Sequence, residues 1–314
     1  MRYRLSLFRC LTPTSLLTSA LLTTQPAFAD QDVTLRFAAE VQGQPFVCGQ
    51  HYEGVGTSTT RITPSDFRLY VSAVNLLDAD GNAVPLTLDQ DGVWQYENVA
   101  LLDFEDGSGP CQNGNTALNT TIRGTLPDGD YRGVQFTLGL PFALNHADNL
   151  LAPSPLNLSA MFWNWQGGYR FFKVDIASVG DAAPQGGMAG GMGAGMNGGM
   201  RSGMGGGMQG AGGHGNAAFL IHLGSTGCAS ASTTTSPANA CQNPNTVPVQ
   251  LANYDFANGS IVVDLAALLQ FSDLTSNTAG TPPGCMSGVD DPECAGLFRA
   301  FGLDGSGQKL FHAR

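Results

Sequence analysis

The sequence has little positive charge and no long apolar run. Its 314 residues contain 14 Lys and Arg against 25 Asp and Glu, which gives a formal net charge of −11. Nucleic-acid binding needs clustered basic residues that contact phosphates, so this balance argues against a nucleic-acid partner. No apolar stretch reaches the roughly 20 residues that a membrane-spanning helix requires. Because 42% of the residues are hydrophobic, the chain is still apolar enough to form a buried core.

Several motifs that define enzymes and cofactor proteins are also missing. There is no Cys-x-x-Cys of a zinc ribbon or thioredoxin-type site, and no Cys-x-x-Cys-His that would attach a c-type haem. His-Glu-x-x-His and the phosphate-binding glycine loop with lysine are absent. Ser225 lacks the spacing of a nucleophile elbow. These absences favour a binding protein over an enzyme, and they leave a small hydrolase using His146 or His222 with an aspartate as the weakest alternative.

The first 29 residues have the pattern of a signal peptide. Arginines stand near the start, an apolar stretch follows at 16–22, and the small residues Ala27 and Ala29 come next. This order predicts cleavage after Ala29 and export to the periplasm.

Six cysteines remain after that cleavage, and an even number in an exported chain predicts disulfides. Many pairings are formally possible. The pairs that close the shortest loops are Cys228–Cys241 and Cys285–Cys294, which leaves Cys48–Cys111 as a long-range pair.

Apolar and polar residues alternate with a period of two along much of the chain. Alternating segments occur at 67–73, 132–138, 172–176 and 247–251, and short apolar runs occur at 100–104, 219–223 and 261–263. This pattern predicts an all-β fold, namely an antiparallel β-sandwich with Greek-key-like connections and long loops, stabilised by disulfides. Two short helices are expected at 264–270, with Asp264 as N-cap, and at 294–301. Asp80-Gly81 and Asp128-Gly129 predict hairpin turns.

Residues 30–314 are predicted to form a single β domain that contains a glycine- and methionine-rich insertion at 185–216. Within the insertion a thioether recurs at every fourth residue and a histidine follows. These residues are Met188, Met192, Met196, Met200, Met204, Met208 and His214. Thioether sulfur is a soft ligand that suits Cu(I), so one hypothesis is a Cu(I)-collecting loop. The alternative is repeat slippage in a tolerant surface loop.

Two histidines lie beside predicted strands. His146 follows the strand that ends near 138, and His222 lies within the apolar run 219–223. Two neutral imidazoles brought together by the fold suit copper, zinc or iron. A single histidine on a strand is more often simply hydrogen-bonded, and spacing alone does not separate the two cases.

A pair of tryptophans stands two residues apart. If the stretch is extended, Trp163 and Trp165 lie on the same face of a strand. Composition alone favours a core aromatic cluster. An exposed pair that stacks on sugar rings is the alternative, which would make the protein a periplasmic carbohydrate-binding module.

Seven stretches, which cover most of the chain after the signal peptide, resemble the MbnP family in the family's order. This family is also described as the four-Cys protein of the "metallo-mystery pair". The stretches are residues 46–49, 66–71, 100–107, 138–146, 152–158, 161–169 and 222–228. The insertion at 185–216 departs from the family pattern.

The resemblance implies an exported copper-binding protein whose partner is a MauG-like di-haem c-type enzyme, MbnH. That partner oxidises a tryptophan to kynurenine, which then joins histidines around copper. Carried over, the ligands are His146 and His222, and the modified residue is Trp163 or Trp165, with Trp163 the chosen one. His51 matches no family position and is a reserve ligand. The chain would be a substrate of its partner, not an enzyme, with a role in copper acquisition, storage or homeostasis.

Overall fold

The structure, a computed structural model, describes residues 29–164, 166–180 and 218–314. Three sequence predictions fall outside these ranges and stay predictions: the signal peptide, the methionines and His214 of the insertion, and Trp165. Within the described ranges, no helix has the length and apolar character needed to cross a membrane.

Strands make up most of the described chain, in keeping with the alternating sequence pattern. The strands up to residue 138 are β1 (Asp30–Val41), β2 (Gln44–Pro45), β3 (Tyr52–Val55), β4 (Thr60–Asp78), β5 (Ala83–Pro85), β6 (Thr87–Leu88), β7 (Gln95–Tyr96), β8 (Val99–Asp103), β9 (Thr121–Pro127) and β10 (Tyr131–Leu138). The later strands are β11 (Phe162–Asn164), β12 (Gly168–Tyr169), β13 (Phe172–Val179), β14 (Phe219–Leu223), β15 (Val247–Leu251), β16 (Ile261–Asp264), β17 (Gly284–Cys285) and β18 (Phe311–Ala313). The helices are α1 (Phe142–Asn145), α2 (Leu265–Leu269) and α3 (Pro292–Phe301), and a 3-10 turn covers Ser159–Met161.

Two sheets form a sandwich, which confirms the predicted fold class. One sheet has the order β18-β16-β1-β9-β6, with β2 paired to β1. The other has the order β15-β10-β4-β13-β14-β17, with β3, β5 and β8 on β4 and β7 on β8. The pairs β1–β16 and β14–β17 are parallel, unlike the rest of the described ladders. Long stretches of chain separate the partners of both parallel pairs, as parallel pairing requires.

The main core lies between the two sheets and is rich in aromatic contacts. Phe136 on β10 packs edge-on against Phe37 on β1, with ring centroids 6.0 Å apart, and against Phe311 on β18 at 5.1 Å. A smaller apolar group, here called the outer cluster, lies on the opposite face of the larger sheet. It consists of Tyr70, Val99, Leu101, Leu140, Leu156, Met161, Tyr169 and Phe171.

Both predicted helices are present. Asp264 caps α2 by accepting hydrogen bonds from the backbone N–H groups of Ala266 and Ala267. Helix α3 begins two residues earlier than expected, because Asp291 provides its N-cap and proline fits the first turn.

The two predicted hairpin turns have different outcomes. Asp80-Gly81 joins the paired strands β4 and β5, so this prediction is confirmed. The hairpin at Asp128-Gly129 is wrong, because β9 and β10 belong to different sheets. This turn carries the chain across the sandwich, and the Asp128 N–H donates to the carbonyl of Ala29, which continues the β1–β9 ladder up to the turn.

Three disulfides are present in the described chain. They join the partners that the loop lengths favour. The pairs are Cys48–Cys111, Cys228–Cys241 and Cys285–Cys294, with sequence separations of 63, 13 and 9.

Candidate metal centre

The candidate site forms where the β11–β12 ribbon meets β13 and β14. Strand β11 carries Trp163, and the chain leaves β12 through Arg170 into β13. The turn of the ribbon needs Gly168, whose φ is +76° and whose added Cβ would lie 2.3 Å from the carbonyl oxygen of Asn145. The ribbon thereby brings the guanidinium of Arg170 to His222 on β14 and the indole of Trp163 to Gly224, just after β14.

The His222 ring is buried and has a partner at each nitrogen. Its Nε2 lies 2.6 Å from Oδ1 of Asp175, and its Nδ1 lies 3.3 Å from Nε of Arg170, which donates. Burial lowers the pKa of His222, and the neighbouring Asp175 opposes that effect. These partners assign a neutral ring that donates from Nε2 and carries its lone pair on Nδ1. A carboxylate behind one ring nitrogen and a lone pair on the other is the usual arrangement of a metal-ligating histidine.

Trp163 lies against Arg170 and the end of β14. The Cζ atom of Arg170 is 5.6 Å from the centroid of the Trp163 ring. The same guanidinium is held by the carbonyls of Ala160 and Phe162, at 2.8 and 2.9 Å from Nη1. Trp163 is only partly buried and belongs to neither apolar cluster, so the core interpretation is wrong for this residue. The tight ribbon turn keeps its indole at the edge of the fold.

His146 lies at the end of α1, beside a disulfide. Its Nε2 is 3.2 Å from Nδ2 of Asn145 and 3.5 Å from Sγ of Cys241. The sulfur of Cys228 belongs to the same group of potential ligand atoms, which lie within 4.8 Å of one another. Because the two cysteines are joined in a disulfide, they do not offer thiolates to a metal.

In the described part of the chain, Asn145 connects His146 with the residues that follow His222. Asn145 donates from Nδ2 to Oγ of Ser225 at 3.3 Å, and its Oδ1 accepts the N–H of Tyr169 at 2.8 Å. Ser225 follows β14, and Tyr169 ends β12. The contacts described for the two imidazoles themselves include no shared partner.

His51, the reserve ligand, lies elsewhere. It is exposed, and its Nδ1 is 2.7 Å from Oγ1 of Thr63. Thr63 pairs with Ser178 near the end of β13, whereas His222 pairs with Lys173 near its start. The described contacts therefore do not bring His51 to the candidate site.

A cavity of about 290 Å³ opens beside the indole of Trp163. Its wall combines polar and sulfur-containing side chains from the ribbon, the residues after β14 and the residue after β17. Trp163, Gln166, Ser225, Thr226, Cys228 and Met286 contribute to it.

A row of buried charged residues continues from His222 across the sheet. Lys173 donates from Nζ to Oδ2 of Asp175 at 2.6 Å and also bonds Asp66. Asp66 in turn accepts hydrogen bonds from Nε and Nη2 of Arg68, with 2.8 Å between Arg68 Nε and Asp66 Oδ1. Burial raises the pKa of Asp175, but the hydrogen bond from His222 and the charge of Lys173 bring it below its ordinary value. The row keeps Asp175 ionised behind His222.

Two further carboxyl groups, those of Asp103 and Glu105, lie near Arg68 at the far end of the row. Asp103 on β8 pairs directly with Arg68 on β4, and Glu105 lies 3.7 Å from Nη1 of that arginine. Burial raises the pKa of Asp103 to about 7, with Glu105 adding to the rise and Arg68 opposing it.

Sequence patterns did not single out Arg170, Asp175 or Met286. The alternation along β13 puts Lys173 and Asp175 on the same face of the strand. This was the one sequence signal that could have identified Asp175 as a site residue. Arg170 and Met286 enter the site through the ribbon turn and the pairing of β17 with β14, and neither contact is visible in local sequence.

Known families and structures provide an independent comparison. The family model described as MbnP matches residues 30–287. Among solved structures, MbnP from Methylosinus trichosporium is similar, with a TM-score of 0.70 and 30% sequence identity over 91% of this chain and 98% of that chain. No curated protein matches this chain.

Proposed function

The chain belongs to the MbnP family, and we propose that it is an exported copper-binding protein whose site is completed when Trp163 is oxidised to kynurenine. The observation that carries the proposal is the neutral, carboxylate-backed ring of His222, joined through one arginine to the indole of Trp163. The disulfides and the signal-peptide pattern support a periplasmic location.

The donor chemistry fits copper. Neutral imidazole nitrogen is a good copper ligand, and both His222 Nδ1 and His146 Nε2 accept hydrogen bonds and so carry lone pairs. Copper at His222 needs the lone pair that Arg170 now contacts, so Arg170 must leave Nδ1 when the metal binds. Trp163, His222 and His146 are the ligands that we propose, with His51 outside the set.

An intact tryptophan cannot complete such a site. The indole N–H is a donor with no accessible lone pair. Oxidation by the partner enzyme would break the Cγ–Cδ1 bond of the indole, and hydrolysis would then release Cδ1 as formate. The kynurenine that remains has an aryl amine and a ketone, and either group can reach a metal. Among the described residues, Trp163 is joined to His222 through Arg170, and it is the residue that we propose is modified.

The oxidant must come from another protein, because the sequence has no haem-attachment motif. A MauG-like di-haem c-type enzyme of the MbnH kind fits this need, and the net charge of −11 favours docking to a basic patch on such a partner. The chain would then be a substrate and a copper carrier, with a role in acquisition, storage or homeostasis.

The carbohydrate-binding alternative has less support. Sugar recognition by stacking needs an open indole face, whereas the Arg170 guanidinium lies over the Trp163 ring. The carbohydrate-binding alternative predicts that sugars quench the tryptophan fluorescence and that copper has no effect on this quenching.

Tandem mass spectrometry of the peptide 161–170 tests the proposal. The chain is produced alone and together with its di-haem neighbour. We expect the co-produced chain to show one carbon exchanged for one oxygen at Trp163, and to retain copper on purification.

The matched variants Trp163→Phe and Trp165→Phe locate the modification. Trp163→Phe should abolish both the mass change and copper retention, and Trp165→Phe should preserve both. The reverse result would move the site to Trp165. Two intact tryptophans after co-production would contradict the mechanism.

A further inference from the structure

Large apolar side chains are exposed on the surface around α1 and the turn that follows it. Leu150 and Leu151 are 84% and 83% exposed, more than any other large apolar residue of the described ranges, and Phe142 on α1 is exposed as well. Val93 is also exposed, in a loop whose carbonyl at Val93 accepts a hydrogen bond from Oγ of Ser154 at 2.7 Å. These four apolar residues, Val93, Phe142, Leu150 and Leu151, are here called the leucine patch. A cluster of exposed apolar residues is typical of an interaction surface.

The two leucines are exposed in a turn that has its own hydrogen bonds. The N–H of Leu150 donates to Oδ1 of Asp148 at 2.9 Å. The N–H groups of Leu151 and Ala152 donate to the carbonyl of Asp148 at 3.1 and 2.8 Å. The exposure of the leucines is therefore a property of the folded turn.

The leucine patch has no positive charge near it in the sequence and an acidic rim. Asp148 is the one charged residue in the stretch 133–169, with histidine counted as neutral. The loop that carries Val93 adds Asp89, Asp91 and Glu97 and contains neither lysine nor arginine. Protein interfaces have a core depleted in charged residues and a polar rim, and charges of opposite sign face one another across them. This surface thus fits a partner with an apolar face and a basic rim.

The leucine patch is continuous with the candidate metal centre. The ring centroid of Phe142 is 4.7 Å from that of His146. Asn145, the last residue of α1, accepts the N–H of Tyr169 at 2.8 Å through its Oδ1. Tyr169 belongs to the same ribbon as Trp163, which is partly exposed. A protein that binds the leucine patch therefore lies beside the ribbon.

We propose that the leucine patch is the docking surface for the haem protein that oxidises Trp163. This inference rests on the proposed function and adds the surface through which the partner binds. An oxidant held by another protein acts on Trp163 only if that protein binds near the ribbon, and the leucine patch adjoins the ribbon. The acidic rim selects a basic rim on the haem protein, and the leucines supply apolar area to be buried.

The rate of kynurenine formation at increasing concentrations of the chain tests the proposal. The variant carries Leu150→Ser and Leu151→Ser, and the peptide 161–170 is followed by mass spectrometry. We expect KM to rise by about 10-fold or more and kcat to stay unchanged, because the leucines bind the partner and do not touch the reacting indole. Leu118→Ser is the matched control, since Leu118 is 51% exposed and lies outside the leucine patch. It should leave KM unchanged.

Asp91→Asn tests the acidic rim. The amide keeps an Oδ1 atom that can accept the N–H groups of Val93, Trp94 and Gln95, as the carboxylate of Asp91 does. We expect slower association with the haem protein and a weaker dependence of the association rate on salt. The same association rate and salt dependence as in the wild type would contradict a basic rim opposite Asp91.

Hydrogen exchange in the unchanged chain provides a measurement that needs no variant. We expect the backbone N–H groups of residues 142–152 to exchange more slowly once the haem protein is added. Exchange that stays the same in this segment would overturn the docking surface.

The outcomes separate the two proposals. If the haem protein leaves Trp163 intact in the wild-type chain, the proposed function fails. If it oxidises Trp163 with equal KM in the wild type and in the double leucine variant, the function stands and the docking surface is wrong. Sedimentation velocity of the chain alone covers the other occupant, a second copy. A wild-type dimer that the double variant loses would overturn the proposal in favour of self-association.

Discussion

Gly224 shows how a residue with no side chain shapes the site. An added Cβ at Gly224 would lie 2.5 Å from Cζ3 of Trp163 and 2.6 Å from the carbonyl oxygen of Tyr169. Real Cβ atoms do not approach so closely, so any side chain here must move the indole or the ribbon. The absence of a Cβ lets the Trp163 ring rest against the end of β14.

We therefore expect Gly224→Ala to displace the indole. Its free energy of unfolding, measured in urea, should fall by about 1–3 kcal/mol, the usual cost of overpacking. Kynurenine formation and copper retention should also fall. Gly167→Ala is the matched control, since its Cβ would meet Trp163 Cε3 at an ordinary 3.5 Å. Equal effects of the two variants would contradict a specific role for Gly224.

At the scale of strands, the sequence predicted where the strands lie better than it predicted which of their side chains are buried. Periodicity identified the strands that contain Phe67, Phe136 and Val174, because alternation reflects which face packs in the core. The same alternation predicts solvent for the opposite face, yet Arg68 and Lys173 are 0% and 5% exposed. Coverage of that face depends on distant parts of the chain, so the buried ionic row could not be predicted from local pattern.

The ionic row makes stability depend on pH through Asp103. Its pKa is raised from 3.8 to about 7 in the folded protein, first by burial. Between these two values the folded state binds more protons than the unfolded state, so stability falls as pH rises from about 4 to about 7. The loss is at most about 1.4 kcal/mol per pH unit.

Asp103→Asn should flatten this decline, because the neutral amide does not ionise. Urea unfolding between pH 4.5 and 7.5 measures the effect, with the denaturation midpoint plotted against pH. Asp106→Asn is the control: Asp106 is nearby, and hydrogen bonds from Ser108 lower the pKa of its carboxyl. Asp106→Asn should therefore show the same slope as the wild type between pH 4.5 and 7.5. An unchanged slope in Asp103→Asn would show that Asp103 does not carry this proton.

For the whole molecule, the residue pattern indicated the fold class, and the order of the motifs indicated the family. The assembly of the candidate site depends on long-range strand pairing, which neither of them reveals. The period of two was enough for a β-sandwich. It did not reveal that β17 pairs in parallel with β14, and this pairing is what brings Met286 to the wall of the cavity beside Trp163. His146 and His222 were identified, but the groups that orient His222 come from β13 and the ribbon turn.

The length of the connection between β13 and β14 affects the stability of the whole molecule. These strands are antiparallel neighbours, with Ile176 paired to Phe219, so the described chain leaves and re-enters the sheet at adjacent positions. A shorter connection can therefore span the same ends. Loop-closure entropy changes by only about 0.6 kcal/mol for each doubling of length. Shortening the insertion should raise the free energy of unfolding by about 1 kcal/mol and leave the fold unchanged.

Deletion of residues 187–213 tests whether its methionines collect Cu(I). If the thioethers at every fourth residue bind the metal, the deletion should lower the number of Cu(I) ions per chain but keep the ion at the His222 site. A full-length variant with leucine in place of the six methionines separates thioether chemistry from loop length, and it should lose the same number of ions. Full Cu(I) stoichiometry in both variants would leave repeat slippage as the explanation, because only thioether sulfur distinguishes this segment from an ordinary glycine-rich linker.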